Sequence, residues 1–255
     1  MAPRDGWPPD RTGELAETFV ECADTLVAGF DIVEFLIRLC DRCVRLLQVD
    51  AAGVVLADPQ GRLQIMAATG EDARHLEHRQ LQVGEGPCLD CHRTGRAVAV
   101  PDMAEAVERW PRFAVTCRQA GFAGVHALPM RYRDQVVGAM NLFARTPGPW
   151  GPATARVAQA LTDVATIGLL QHRERTDQAT VIDQLQTAVT SRVVIEQAKG
   201  VLGERIGMDP EQAFQVLRRY ARRHNRRLTD LARAVVTGTE DLTGRVPRPP
   251  PDGRR

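Results

Sequence analysis

The chain has 255 residues, of which 44% are hydrophobic and 25% charged, and its formal net charge is +1. These values are typical of a globular protein with a packed core, and they fit two small domains or one large one. No apolar run approaches the roughly 20 residues of a membrane-spanning helix, and the first residues lack the apolar segment of a secretory signal, so we expect a cytoplasmic protein without membrane contact.

The small net charge hides an uneven distribution along the chain. Residues 1–175 hold 19 basic and 22 acidic side chains, whereas residues 176–238 hold ten basic and seven acidic ones. Of the 33 basic residues, 32 are arginine and one, Lys199, is lysine. Such an asymmetry predicts that the two halves meet different partners.

The first part of the chain predicts an α+β domain over residues 14–172, after a disordered tail at residues 1–13. Apolar residues at helical spacing predict two N-terminal helices, and alternating runs with turn signals predict two strand hairpins. A short strand and three short helices are predicted between the hairpins. The hairpin strands are Ala52–Ala57 with Leu63–Ala68 and Val125–Tyr132 with Gln135–Ala144. This order indicates a central antiparallel sheet with flanking helices.

The second part predicts a long connecting helix and a three-helix module. The helix begins near Pro152 and carries an apolar stripe to Leu202, with a helical linker at residues 173–180. This stripe indicates either a dimeric coiled coil or packing of the helix on its own sheet. Asp209 and Pro210 are typical of a helix start, and a further helix begins at Leu228. We expect the module to cover residues 181–238 and a disordered tail to cover residues 239–255.

Arginines recur at helical spacing in the second helix of this module, opposite its apolar side. They are Arg218, Arg219, Arg222, Arg223 and Arg226. Residues 218–233 contain seven arginines and one acid, so the like charges repel one another unless an anion such as phosphate binds there. A solvated arginine face is the alternative, and the pattern does not separate RNA from DNA.

The run Ser191–Leu202 (SRVVIEQAKGVL) resembles the core of the ANTAR family. The match continues through Ala213-Phe214 and Asn225–Leu228 to Ala232. This resemblance implies a three-helix RNA-binding module of bacterial regulators. Such modules act as dimers on paired small-loop hairpins in leader RNA, and binding stabilises an antiterminator that lets transcription continue.

Recognition of a hairpin loop needs cations for the backbone and polar groups for the splayed bases. Under the resemblance we assign phosphate contacts to three side chains, which are Arg218, Arg222 and Arg226. Base reading or loop positioning is assigned to Arg192, Lys199 and Asn225. Glu196 has two interpretations of equal weight: it accepts from a base amine, or it pairs with Arg192 or Lys199.

The order of elements in the first part resembles a GAF domain over residues 14–172. The run Val83–Asp90 (VGEGPCLD) and Asn141-Leu142-Phe143 are similar to actinobacterial GAF–ANTAR proteins. The resemblance implies a small-molecule site between the sheet and the short helices, within residues 84–130. The signature of cyclic-nucleotide GAF domains is not evident, so the ligand is undefined and no cofactor is required. The candidate ligand or redox residues are Cys88, Asp90, Cys91, His92, His126 and Asn141.

The cysteines admit four interpretations. Cys88–His92 spells the c-type haem attachment pattern, which requires export. Cys40 and Cys43 together with Cys88 and Cys91 have the spacing of a four-cysteine zinc site, although the first pair lies in an apolar helix. Cys88 and Cys91 form a redox switch if they are exposed and their pKa is lowered. Otherwise they are inert buried thiols, and no metal is assigned.

We find no catalytic triad, phosphate loop or paired carboxylates, so we do not expect an enzyme. The sequence predicts a signal-responsive RNA-binding regulator of transcription termination, acting as a homodimer. A DNA-binding regulator that responds to a ligand or to redox state is the main alternative. A redox sensor acting through protein partners is another.

Overall fold

A computed structural model describes residues 11–27, 31–58, 60–133, 135–171, 181–224 and 226–242. The chain divides into two compact units, the first ending at Gln186 and the second beginning at Thr187. None of the described helices combines the length and the apolar character needed to cross a bilayer.

The first unit is built on a five-stranded antiparallel sheet. Its strands are β1 (Ala51–Ala57), β2 (Leu63–Ala68), β3 (Val98–Val100), β4 (Gly124–Tyr132) and β5 (Gln135–Ala144). Their order across the sheet is β2-β1-β5-β4-β3. The two long hairpins that the sequence predicts are therefore present, and β1 and β5 join them at the centre of the sheet.

Helices cover both faces of this sheet. The helices are α1 (Thr12–Val27), α2 (Ile32–Leu47), α3 (Gly70–Val83), α4 (Pro87–Thr94), α5 (Pro111–Gln119) and α6 (Pro152–Gln171). On one face, α2 and α6 contact Met140 of β5 through Cys43 and Thr162. On the other face, α3, α4 and α5 pack against the odd-numbered residues of β1 and β5, because successive strand residues point to opposite faces. The α+β fold predicted from the sequence is confirmed.

Local signals fix where several helices begin. The Asp31 carboxylate accepts from the backbone of Val33 and Glu34, which caps α2. The Glu85 carboxylate, in the loop after α3, accepts from the backbone N–H groups of Arg112 and Phe113 at the start of α5. The loop before α4 is thereby tied to α5 on the same face of the sheet.

The second unit contains α7 (Val181–Ile206, which begins before the unit boundary), α8 (Pro210–Arg223) and α9 (Leu228–Val236). Gly207 ends α7 with a φ of 73°, a conformation that favours glycine. The Asp209 side chain accepts from the Gln212 backbone and Pro210 occupies the first turn of α8, as the sequence predicts. Each helix of the unit contributes buried apolar residues, among them Leu202, Leu217 and Leu231.

Two expected boundaries need correction. Helix α1 begins at Thr12, inside the tail predicted at residues 1–13. The predicted tail at 239–255 begins too early, because Leu242 is 1% exposed and Glu240 bonds to Tyr220 and Arg226. The linker at 173–180 lies outside the described residues, so a continuous helix from Pro152 to Leu202 stays a prediction.

Candidate buried polar site and basic helical surface

A polar cluster lies in the first unit, between the sheet and α3. The Asn141 amide of β5 donates to both carboxylate oxygens of Glu77 on α3, at 2.8 and 2.9 Å. Gln80 donates to the same carboxylate at 3.3 Å, and its own oxygen accepts from the Cys88 backbone at 2.9 Å. Glu77, Gln80 and Asn141 are all 0% exposed. The cluster therefore links the centre of the sheet to α3 and to the first turn of α4.

A glycine in β1 makes room for the carboxylate. A Cβ placed on Gly53 would lie 2.3 Å from Glu77 Oε1, so any larger residue there would displace the carboxylate. Gly53 pairs in register with Asn141, which places the two residues side by side in the sheet. Gly53 and Asn141 together form the sheet side of the site.

Few hydrogen-bond donors in the described part of the chain surround the buried Glu77 carboxylate. Burial raises the pKa of Glu77 from 4.5 to about 8, and the Asn141 hydrogen bonds only partly oppose this. Among the described residues, no donor lies within hydrogen-bond distance of Asn141 Oδ1, which is also buried. The Glu77 carboxyl therefore favours its protonated form, and Asn141 retains an acceptor that a proton donor would satisfy.

Glu77 and Gln80 were not among the site residues predicted from the sequence. Ala73 and Leu76 mark the buried side of α3, and Glu77 and Gln80 lie one turn further along that side. A glutamate on the inner side of a helix, with a glycine in an otherwise apolar strand, is a weak signal without the register that brings Gly53 and Asn141 together.

The thiols of Cys88 and Cys91 do not meet the conditions for a redox switch. Both are 0% exposed. Burial raises the pKa of Cys91 to about 12, and burial with the nearby Glu77 carboxylate raises the pKa of Cys88 well above its usual value. A reactive cysteine needs access and a lowered pKa, so these thiols are held in their unreactive form.

The four cysteines with zinc-site spacing do not converge either. Cys88 and Cys91 pack with Ala139 of β5 on one face of the sheet. Cys43 contacts Met140, the next residue of β5, from the opposite face. The sheet therefore separates the two pairs. Within the described ranges, no group of three or more His, Cys, Asp and Glu side chains is arranged to hold a metal ion.

We expect alkylation of the native protein to leave Cys88 and Cys91 unmodified at neutral pH, because attack requires an accessible thiolate. Mass spectrometry after timed iodoacetamide treatment measures this, with the denatured protein as the fully reactive control. Modification of Cys88 in the native protein at the rate of the denatured protein would contradict the burial described here.

The remaining candidate ligand residues do not join the cluster. Asp90 pairs instead with two arginines, at 2.6 Å from Arg93 and from Arg109. His92 is partly buried, and this burial lowers its pKa. Asn141 alone of the four residues Asp90, His92, His126 and Asn141 reaches Glu77.

His126 lies on the opposite face of the sheet from Asn141. Its neighbour Ala127 packs with Cys88 and Cys91 and pairs in register with Asn141, so His126 points the other way. There its ring stacks on Trp150 at a centroid distance of 3.8 Å, and burial lowers its pKa to about 4. The expectation that His126 and Asn141 line one site is therefore corrected.

In the second unit, α8 presents arginines on its outer side. Arg219, Arg222 and Arg223 are exposed and Arg218 is partly buried, whereas Phe214 faces the core. No carboxylate of the described residues lies within ion-pair distance of the three exposed arginines. We call Arg218, Arg219, Arg222 and Arg223 the arginine face.

Arg226 does not belong to this face. Helix α8 ends at Arg223, and Arg226 Nη1 lies 2.6 Å from Glu240 Oε2 after α9. The helical spacing predicted Arg226 on the arginine face, but the chain has left the helix three residues earlier. Asn225 lies outside the described residues.

Arg192, Glu196 and Lys199 form an ion triad on α7. Glu196 pairs with Arg192 one turn before it and with Lys199 Nζ, at 2.9 Å, one turn after it. The side chains of Arg192 and Lys199 are 8% and 3% exposed, whereas that of Glu196 is 41% exposed. This geometry corresponds to the pairing interpretation of Glu196, and it leaves nearly buried the two cations that the resemblance assigned to base reading or loop positioning.

The outer side of α7 is formed by other residues. Gln197 and Gly200 are exposed, and an added Cβ on Gly200 would meet nothing within 4 Å. Ala198 is fully buried. The small size of Ala198 therefore serves helix packing, and the outer side of α7 also carries an exposed apolar side chain, Val193.

Two family models match this chain, one in each part. A family model described as a GAF domain matches residues 31–169, and one described as an ANTAR domain matches residues 183–236. A nitrate regulatory protein of Klebsiella oxytoca is 45% identical over 53 residues, which are 21% of this chain and 13% of that protein. The chain thus matches only a small part of that relative's length.

Two solved structures share the fold of the first unit. The GAF domain of an Acinetobacter phosphoenolpyruvate-protein phosphotransferase aligns with a TM-score of 0.52 at 15% identity, over 66% of this chain and 99% of that one. A free methionine-R-sulfoxide reductase of Neisseria meningitidis, solved with its substrate, aligns with a TM-score of 0.50 at 14% identity, over 68% and 98%. At this identity the likeness concerns the fold alone, which proteins with different functions share.

Proposed function

The chain belongs to the GAF domain family and carries an ANTAR domain after it, and from this we propose that it is a signal-responsive regulator that binds paired RNA hairpins and suppresses transcription termination. With the two corrected boundaries, the proposed sensor domain covers residues 12–172 and the proposed RNA-binding module residues 181–242. The protein acts in the cytoplasm as a homodimer, so that two modules engage two hairpins.

The arginine face carries this proposal. Three exposed arginines without a carboxylate partner among the described residues form a surface that an anion would stabilise. Nucleic-acid phosphates supply a row of such anions. The ANTAR match favours RNA over duplex DNA, and the match of 53 residues to a nitrate regulatory protein supports a regulatory role.

The buried polar cluster supports a sensor role for the first domain. Glu77, Gln80 and Asn141 lie between the sheet and the short helices, as the resemblance implies for a ligand site, although all three fall outside the expected range 84–130. The nucleophiles of this region, Cys88 and Cys91, are held as buried thiols. We therefore propose sensing rather than catalysis.

Binding to RNA is tested with a pool of adjacent hairpins whose small loops are randomised. After selection on the purified protein, we expect the paired hairpins to bind more tightly than either single hairpin or duplex DNA at the same salt concentration. Equal or tighter binding of the duplex would favour the DNA-binding alternative and contradict the proposal.

The contribution of the arginine face is measured by salt dependence. We expect Arg219→Gln and Arg222→Gln each to lower the slope of log Kd against log salt by about 0.7–0.9, the value for one phosphate contact. Arg118→Gln, an exposed arginine of α5 in the other unit, is the matched control and should leave the slope unchanged. Identical slopes for all three variants would mean that this face does not contact the RNA.

A further inference from the structure

The single lysine of the chain occupies an internal position. Lys199 is 2% exposed, and its ammonium lies 2.9 Å from Glu196 Oε2. The same ammonium lies 5.7 Å from the centroid of the Phe214 ring on α8. It therefore lies between a carboxylate of its own helix and an aromatic ring of the next one.

Burial of a charge at this position needs compensation. Removing an ammonium from water is unfavourable, and a nearby carboxylate and an aromatic ring both offset that cost. A lysine head is compact, whereas a guanidinium is a planar fork that needs more space and more acceptors. Since the other 32 basic residues are all arginine, a compact cation at Lys199 fits a site in which shape matters.

The ring that the ammonium contacts belongs to the helix of the arginine face. Arg218 and Arg222 follow Phe214 by four and eight residues, which is one and two turns along α8. Phe214 itself is 4% exposed and fixed in the core. A contact between Lys199 and Phe214 therefore holds α8 against α7 close to the start of the arginine face.

We propose that Lys199 is a positioning residue of the RNA site. Its ammonium lies between Glu196 and the Phe214 ring, holds α8 with its arginine face against α7, and contacts no RNA phosphate. This inference rests on the proposed RNA-binding function. The exposed arginines of α8 then make the phosphate contacts, whereas Arg192 and Lys199 lie in the interior of the module.

Labelling of the wild-type protein tests the first part, because the chain has one lysine. Acetic anhydride followed by peptide mass spectrometry reports the accessibility of the Lys199 amine without any substitution. We expect Lys199 in the folded full-length chain to react at least about tenfold more slowly than in denaturant, because reaction requires local opening. We also expect the selected hairpin RNA to leave this rate unchanged. Rapid labelling that the RNA blocks would overturn the proposal.

Salt-dependent binding of two Lys199 variants tests the second part. For Lys199→Met, which keeps the apolar stem, we expect affinity to fall by about tenfold, in line with a lost cation–π and ion-pair contact, with the salt slope unchanged. For Lys199→Arg, which keeps the charge, we expect a similar loss because the guanidinium does not fit. A lowered slope for Lys199→Met with full affinity for Lys199→Arg would identify a phosphate contact and overturn the proposal.

Two controls distinguish a failure of the positioning role from a failure of the proposed function. Circular dichroism of both variants must give the wild-type helix content, and Arg222→Gln provides the slope change of a true phosphate contact. If the wild-type chain binds no RNA, the proposed function itself fails and the positioning role fails with it. If it binds normally and Lys199→Met alone changes the slope, the positioning role fails and the function stands.

Discussion

The Glu77→Gln variant is expected to be more stable than the wild-type protein at alkaline pH, and to lose most of the wild-type dependence of stability on pH. The reason is that the folded protein holds the pKa of Glu77 near 8, whereas the unfolded chain returns it to 4.5. Between these two values the folded state binds a proton that the unfolded state releases, so wild-type stability falls as pH rises.

The size of the effect follows from that interval. Each unit between the two pKa values is worth about 1.4 kcal/mol, so the wild-type protein should lose on the order of 4–5 kcal/mol from this group between about pH 4.5 and pH 8. The neutral amide of Glu77→Gln does not titrate. Its remaining carbonyl oxygen can still accept from Asn141 Nδ2, which bonds to both carboxylate oxygens in the wild-type structure.

Urea unfolding followed by tryptophan fluorescence measures this effect in the first unit alone. All three tryptophans, Trp7, Trp110 and Trp150, precede residue 187. Glu105→Gln, which removes an exposed carboxylate of the same unit, is the control and should keep the wild-type pH profile. Parallel pH profiles for Glu77→Gln and the wild-type protein would show that Glu77 is not a buried titrating group.

Glu196→Ala should destabilise the second unit by about 2–3 kcal/mol. The substitution removes the carboxylate that Arg192 and Lys199 both contact, and these two cations are nearly buried. Breaking a fully buried ion pair costs about 3–5 kcal/mol, and the partial exposure of Glu196 places the expected loss below that range.

Hydrogen exchange measured on peptides of α7 and α8 reports this loss, since the second unit has no tryptophan. Glu204→Ala removes an exposed carboxylate from the same helix and should have little effect. The double variant Glu196→Ala with Lys199→Met should lose less stability than Glu196→Ala alone, because it no longer buries the ammonium. Equal protection in Glu196→Ala and Glu204→Ala would contradict the role of the triad.

The framework of both units could be predicted from the sequence because local patterns determine it. Alternating apolar runs with turns identify the hairpins around residues 58–62 and 133–134, and Asp209-Pro210 identifies the start of α8. These signals act over a few residues. The arginine face was predictable in part, because helical spacing turns Arg219 and Arg223 away from Phe214. Arg218 lies one turn after Phe214 and is partly buried, although the spacing was taken to place it on the outer side.

The candidate sites were less predictable because they depend on register and on where a helix ends. His126 and Asn141 lie on adjacent strands, yet the register places them on opposite faces of the sheet. Arg226 has the correct helical spacing, but α8 ends before it. Lys199 was assigned to base reading or loop positioning, whereas in the structure it is buried and Glu196 and Phe214 compensate its charge.

We propose that this chain suppresses transcription termination by binding RNA. Single-round transcription by purified bacterial RNA polymerase tests it directly, on a template in which the selected hairpin pair overlaps an intrinsic terminator. We predict that the wild-type protein raises the read-through fraction and that the Arg219→Gln, Arg222→Gln double variant does not. Unchanged read-through at protein concentrations that saturate the hairpins would contradict the claim.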